Sequence, residues 1–144
     1  MLKALSLTAL LLCNAQAYSA SAGMPVTARI GSKCNITPAS VTLAFGTLSS
    51  GDKEVFINVP TTCISGTKYA IEFGPGLYGA LTARKMRHNA IPSAELAYTI
   101  SATPSSGTST GSQNIRVTGK LLANDYKDLP IGNYADTVIM RINP

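Results

Sequence analysis

Apolar residues recur at every second position through most of this chain. Val55, Ile57 and Val59 alternate with Phe56 and Asn58; Tyr69, Ile71 and Phe73 with Ala70 and Glu72; Leu96, Tyr98 and Ile100 with Ala97 and Thr99. A period of two places one set of side chains on one face, so each run predicts a strand with a single buried face. Ile115 and Val117 open a further strand toward Leu121, in which Gly119 marks either a bulge or a close backbone approach. Val138, Met140 and Ile142 alternate once more, which makes a half-buried strand the final element. Turn-forming clusters at 49–52, 65–67, 74–79, 104–112 and 124–132 separate these runs. No window outside the apolar N-terminal run carries a helical period. Many short strands joined by Gly, Pro and Ser turns predict an all-β chain, with a β-sandwich as the leading architecture and a barrel second.

The N-terminus reads as an export signal. Lys3 is followed by an apolar run over 4–12, too short to span a bilayer, and then by the small-x-small site Ala15, Gln16, Ala17. Residues 1–17 are therefore expected to be a removed signal peptide, and Ala20 with Ala22 offers a second cleavage site just before Gly23. What remains, 18–144, is the size of one domain with one core and contains no membrane span. Residues 18–23 are small and polar, as suits a flexible leader, while Val26, Ala28 and Ile30 alternate with Thr27 and Arg29 like a strand. That segment is either the first strand of the sandwich or a strand donated to a neighbouring molecule.

Cys34 and Cys63 are the two cysteines beyond the signal peptide, and an even count in an exported chain favours a disulfide over a metal site. Closing that loop is worth roughly 3–4 kcal/mol on the chain-entropy model. The formal charge of +5 falls by one when Lys3 is removed and is spread along the chain. Such mild basicity helps solubility and gives no reason to expect a nucleic-acid partner. An exported domain ending on a strand leaves a sheet edge that must be covered, so assembly is the expected function.

One order of residues carries a family resemblance. Cys34 is followed by Phe45 and Gly46, a strand ending at Thr62 and Cys63, then Ser65, Gly66, Thr67 and Tyr69. Arg84 and Met86 come next, then Leu96 and Tyr98, and finally the run of Pro130, Gly132, Tyr134, Asp136, Thr137 and Val138. Over 33–142 this resembles the spore coat protein U domain family, which includes the pilin subunits of archaic chaperone-usher fimbriae. The resemblance implies an incomplete immunoglobulin-like β-sandwich that lacks its last strand and is completed by donor-strand complementation. It divides the chain into a signal peptide (1–17), an N-terminal leader and donor strand (18–32) and a pilin domain (33–144). It further implies a structural subunit exported through the periplasm of a Gram-negative bacterium to a surface fimbria or related coat. Its partners would be a periplasmic chaperone, an outer-membrane usher and neighbouring pilin subunits, either copies of itself or paralogues. Val26, Ala28 and Ile30 would then be the donor strand, and Val138, Met140 and Ile142 would border the acceptor groove. The alternative is a self-contained secreted sandwich that binds a surface or a carbohydrate through its loops.

Candidate chemistry adds little. His88 is the only histidine and no Gly-x-Ser-x-Gly elbow is present, so no catalytic residue is assigned and the chain is not expected to be an enzyme. Cys34 and Cys63 lack paired-ligand spacing, so neither a metal nor a cofactor is expected. Arg84, Lys85, Arg87 and His88 are expected to form a solvated loop flanking Met86. Tyr134 and Asp136 are expected to satisfy local backbone groups rather than to form a site.

Overall fold

A computed structural model describes residues 25, 27–29, 31 and 33–144. The expected signal peptide and two of the residues expected in a donor strand, Val26 and Ile30, lie outside the described residues, whereas Ala28 is exposed and in no strand. Two compact units are distinguished, Met1–Ile30 and Gly31–Pro144, and all the described regular structure belongs to the second.

The alternating runs become the long strands. In chain order the elements are β1 (Cys34–Ile36), β2 (Lys53–Cys63), β3 (Lys68–Phe73), β4 (Arg84–His88), β5 (Glu95–Thr103), β6 (Ser106–Thr108), β7 (Ser112–Leu121), α1 (Ala123–Tyr126), β8 (Tyr134–Ala135) and β9 (Met140–Asn143). A six-stranded sheet has the order β1-β2-β7-β5-β4-β8, and a three-stranded sheet has the order β6-β3-β9. Every described pairing is antiparallel.

The core lies between the inward faces of the two sheets. Val59 of β2 and Ile115 and Val117 of β7 are buried against Tyr69 of β3, with Ile142 of β9 packed beside them. A second cluster, Leu96, Tyr98 and Leu121, is roofed by Phe45 and Leu48 from the stretch over 37–52, which has no regular structure, and by Val138. Fully burying an aliphatic or aromatic side chain is worth about 1.5–3 kcal/mol, so these clusters, not the short edge strands, hold the sheets together.

Three expectations need correction. The basic cluster is strand β4, not a solvated loop: Arg84, Met86 and His88 point inward, and Arg84 and His88 are buried. A charged and an imidazole side chain stand where an apolar residue usually would, which hides the two-residue period. The turn cluster over 104–112 contains β6 and the buried Ser109, whose hydroxyl bonds the backbone of Gly111. The cluster over 124–132 overlaps the one short helix among the described residues.

Gly119 resolves to a close approach. The register runs through it without interruption on both sides, Val55 opposite it in β2 and Ile100 in β5. A Cβ at this position would lie 2.6 Å from Cδ2 of Leu43 and 2.8 Å from Cζ of Phe45. Gly119→Val is expected to lower stability by about 1–3 kcal/mol, because the side chains that roof the second cluster must move off it. Urea unfolding of the two proteins measures this; an unchanged or raised midpoint would show that Leu43 and Phe45 do not pack there.

Candidate functional site

The two sheets do not close along one side. A groove of about 760 Å³ runs between β1 with the segment after it and β9 with the segment before it. Its floor includes Ile57, Val59, Ile100 and Val117. Ile36, Val41 and Leu43 lie along one bank, and Val138, Met140 and Ile142 along the other. The lining is therefore mostly apolar, with Tyr98, Asp136 and Thr137 on one side and Asn35, Ser40 and Thr42 on the other supplying polar groups.

The backbone of β9 gives the groove its second property. Ile142 lies opposite Ile71 and Met140 opposite Phe73 in the β3–β9 ladder. The Ile71 N–H donates away from β9, to the carbonyl of Ser105 (2.7 Å), while the Gly74 N–H donates to the carbonyl of Ile139 (2.9 Å). Antiparallel pairs alternate between hydrogen-bonded and non-hydrogen-bonded, so Ile142 and Met140 belong to the second kind. Their N–H and C=O groups face the open edge while their side chains face the core. Among the described residues β9 has no second strand partner. One strand thus presents unpaired backbone groups beside an apolar trough.

The opposite bank is tied down covalently. Cys34 and Cys63 are bonded (S–S 2.03 Å), which links β1 to the end of β2, and the Thr37 N–H donates to the carbonyl of Pro60 (3.2 Å).

A polar network fixes the bank that leads into β9. Asp136 follows β8; its Oδ1 accepts from the backbone N–H of Leu77 (2.7 Å) and of Thr137 (2.8 Å), and its Oδ2 accepts from the Tyr98 hydroxyl (2.6 Å). Gly76 is required beside it, since its φ of +83° is left-handed and a Cβ there would overlap the carboxylate. Arg84 locks the neighbouring loop by donating from Nε to the carbonyl of Gly74 and from a terminal nitrogen to that of Phe73, both at 2.8 Å. Burial, and next the hydrogen bond to Asp136, push the Tyr98 hydroxyl far above the ordinary tyrosine range.

His88 is occupied structurally. Its Nδ1 accepts from the backbone N–H groups of Ala90 and Ile91 (both 3.0 Å), which leaves Nε2 to donate to the carbonyl of Ile131 (3.2 Å). Tyr134 sets its ring edge-on to the imidazole at 5.0 Å and donates its hydroxyl to the carbonyl of Pro130 (2.8 Å). This hydroxyl-to-upstream-backbone bond resembles the tyrosine corner of immunoglobulin-type sandwiches. Neither ring nitrogen is left to act as a base. Among the described residues no group of His, Cys, Asp and Glu is placed to hold a metal ion, and no helix is long and apolar enough to cross a membrane.

Of the sequence-selected residues, the structure gathers Val138, Met140, Ile142 and Cys34 around the groove, with Cys63 bonded at its margin. The Asp136–Tyr98 pairing joins positions 38 residues apart, and sequence patterning carries no signal for it.

The Spore Coat Protein U domain family matches residues 20–141. The chain belongs to this family. The family is one of structural, non-enzymatic proteins. No curated protein sequence matches the chain. Among solved structures, the spore coat protein U fold seen here is similar to a chain of the CsuC–CsuE chaperone–tip adhesion subunit pre-assembly complex from the archaic chaperone-usher Csu pili of Acinetobacter baumannii. The match has 21% identity, covers 77% of this chain and 39% of that one, and has a TM-score of 0.50. A second structure, of a chaperone–tip adhesin complex vital for synergistic activation of CFA/I fimbriae biogenesis, aligns at 16% identity over 76% of this chain and 41% of that one, with a TM-score of 0.45. The chain thus spans about two-fifths of the length of each. The described residues form an all-β, two-sheet fold with one short helix, which resembles that of chaperone-usher pilin subunits.

The Tyr98 phenol gives a pH test with a definite sign. An acid whose folded pKa is raised contributes fully below its unfolded value, about 10, and its contribution is lost as pH climbs above that. Urea midpoints measured from about pH 8 upward should fall more steeply beyond about pH 10 for the wild type than for Tyr98→Phe. At neutral pH the substitution should itself cost about 1–3 kcal/mol, since Asp136 loses a donor. Parallel alkaline slopes would show that Tyr98 does not titrate against the fold.

Proposed function

We propose that this chain is a structural subunit of a surface fimbria or related coat, exported through the periplasm of a Gram-negative cell and polymerised by donor-strand exchange. The observation that carries this reading is the β9 edge, where unpaired backbone groups and an apolar trough occur on one strand. A strand laid in the groove pairs with the open edge through its backbone and fills the trough with alternate side chains, the mode by which sheets accept extended peptides. Val26, Ala28 and Ile30 of a neighbouring subunit supply that alternation. Residues 26–30 extended span about 17 Å, at roughly 3.4 Å per residue, enough to run the length of β9. That Ala28, among the described residues, is exposed and in no strand supports a leader free to be donated.

A periplasmic chaperone is the temporary occupant of the groove, and an outer-membrane usher is where the leader of the next subunit replaces it. Residues 1–17 are the signal that starts this route, 18–32 the leader and 33–144 the body. Membership of the family, and the occurrence of its fold in chaperone–subunit complexes of pili, support the same partners.

Ile30→Asp tests the reading. A charge forced into an apolar donor pocket costs several kcal/mol, about enough to stop the leader from displacing a chaperone. Co-production with chaperone and usher should give a normal amount of periplasmic subunit–chaperone complex and little or no surface polymer. Loss of the complex would instead mark the segment as part of the subunit's own fold, the self-contained alternative. Unchanged polymer would exclude Ile30 as a donor residue.

A further inference from the structure

The groove is lined mostly by apolar residues, and both of its banks contain segments outside the ladders. On physical grounds it should collapse, because two irregular segments flanking an apolar trough can bury surface by closing on one another. The covalent link at Cys34 and the Thr37 hydrogen bond restrain one bank. On the other, β8 ends at Ala135 and β9 begins at Met140; the only backbone-to-backbone bond described for the four residues between them is that from Gly74 to Ile139. What positions this stretch at its outer end is the Asp136 carboxylate.

Resting on the function proposed above, we infer that Asp136 and Tyr98 form a clamp that holds this bank of the groove in place for an incoming strand. They act as positioning residues for strand capture. Three features single out this pair. The carboxylate ties together three parts of the chain: Leu77 in the loop after β3, Tyr98 on β5 and its own neighbour Thr137. Both residues line the groove, so the clamp acts where the bank meets the trough. Finally, the loop that supplies the Leu77 N–H is itself anchored by the buried Arg84, so the clamp pulls against a fixed point. Val138, two residues on, is thereby kept packed on the Leu96–Tyr98–Leu121 cluster at the edge of the groove that it lines.

A preformed groove spares an incoming strand the cost of opening it, so loss of the clamp should weaken capture more than it weakens the fold. The full chain is titrated with a labelled peptide of residues 24–32, and global stability is measured by urea for each variant. Tyr98→Phe removes one arm of the clamp and Asp136→Asn weakens all three. Tyr134→Phe removes a comparable hydroxyl-to-backbone bond away from the groove and serves as the matched control. Peptide affinity should fall about tenfold in Tyr98→Phe and further in Asp136→Asn, while Tyr134→Phe stays within about twofold of wild type. Amide hydrogen exchange at Leu77 and Thr137 should speed up in Tyr98→Phe and not in Tyr134→Phe.

Equal affinity losses in Tyr98→Phe and Tyr134→Phe, tracking stability alone, would overturn the clamp while leaving the groove reading intact. A wild-type chain that binds no peptide at all would remove the groove reading, and the clamp with it. Should Asp136→Asn not fold, the comparison between the two tyrosine variants decides.

Discussion

A buried backbone N–H or C=O without a partner costs about 1–3 kcal/mol, and a strand edge carries a row of them. Among the described residues, β9 is a sheet edge whose Met140 and Ile142 backbone groups face the groove without a strand partner. The strand's side chains belong to the core, so the edge cannot turn away into solvent without unpacking Met140 and Ile142 from the β3 side of the sandwich. The rest of the molecule is arranged around this open edge: a rigid six-stranded sheet forms the floor, a disulfide fixes one bank and a carboxylate network fixes the other.

The other edges are handled differently. β1, β6 and β8 are two or three residues long, and short edge strands give a passing chain little to pair with. On the outward face of the large sheet, Glu95 lies between Lys85 (2.8 Å) and Arg87 (3.2 Å), and Lys120 meets Glu54 at 2.8 Å. The hydrogen bonds from Lys85 and then Arg87 hold the Glu95 carboxyl below the usual range. Such exposed pairs stabilise a fold very little. Their placement matters more for association, since a face of mixed charge resists face-to-face stacking. Under the proposed assembly, growth by strand addition would then favour the β9 edge, which has a trough beside it.

Much of this was legible in the sequence, and what was missed shares one physical cause. β2, β3, β5 and β7 announce themselves because their inward positions are apolar, and the two-residue period survives into the structure at Val59, Tyr69, Leu96 and Val117. β4 was hidden because Arg84 and His88 occupy inward positions. Burying them is tolerable only because carbonyls of Phe73 and Gly74 accept from Arg84, and because backbone groups of Ala90, Ile91 and Ile131 satisfy His88. Those partners lie in loops whose positions no local pattern predicts. β6 was missed for the opposite reason: its Ser, Gly and Thr residues have no apolar side chain to alternate, and it is held by backbone pairing to β3 alone.

The groove itself shows the same division. Its apolar bank is visible in the spacing of Val138, Met140 and Ile142, because a period of two is a local property. Its openness is not visible, because an open groove is an absence of pairing, and absence leaves no mark on composition. The residues that resist closure, Asp136 with Tyr98, Arg84 with the Phe73 and Gly74 carbonyls and Cys34 with Cys63, each join positions at least ten apart in the chain. Apolar burial rewards any arrangement that closes the trough, whereas directional bonds favour one geometry. An incomplete sandwich that remains ready for a strand therefore needs polar and covalent ties on both banks, and it is there that side chains other than aliphatic ones replace the usual filling of a β-sandwich.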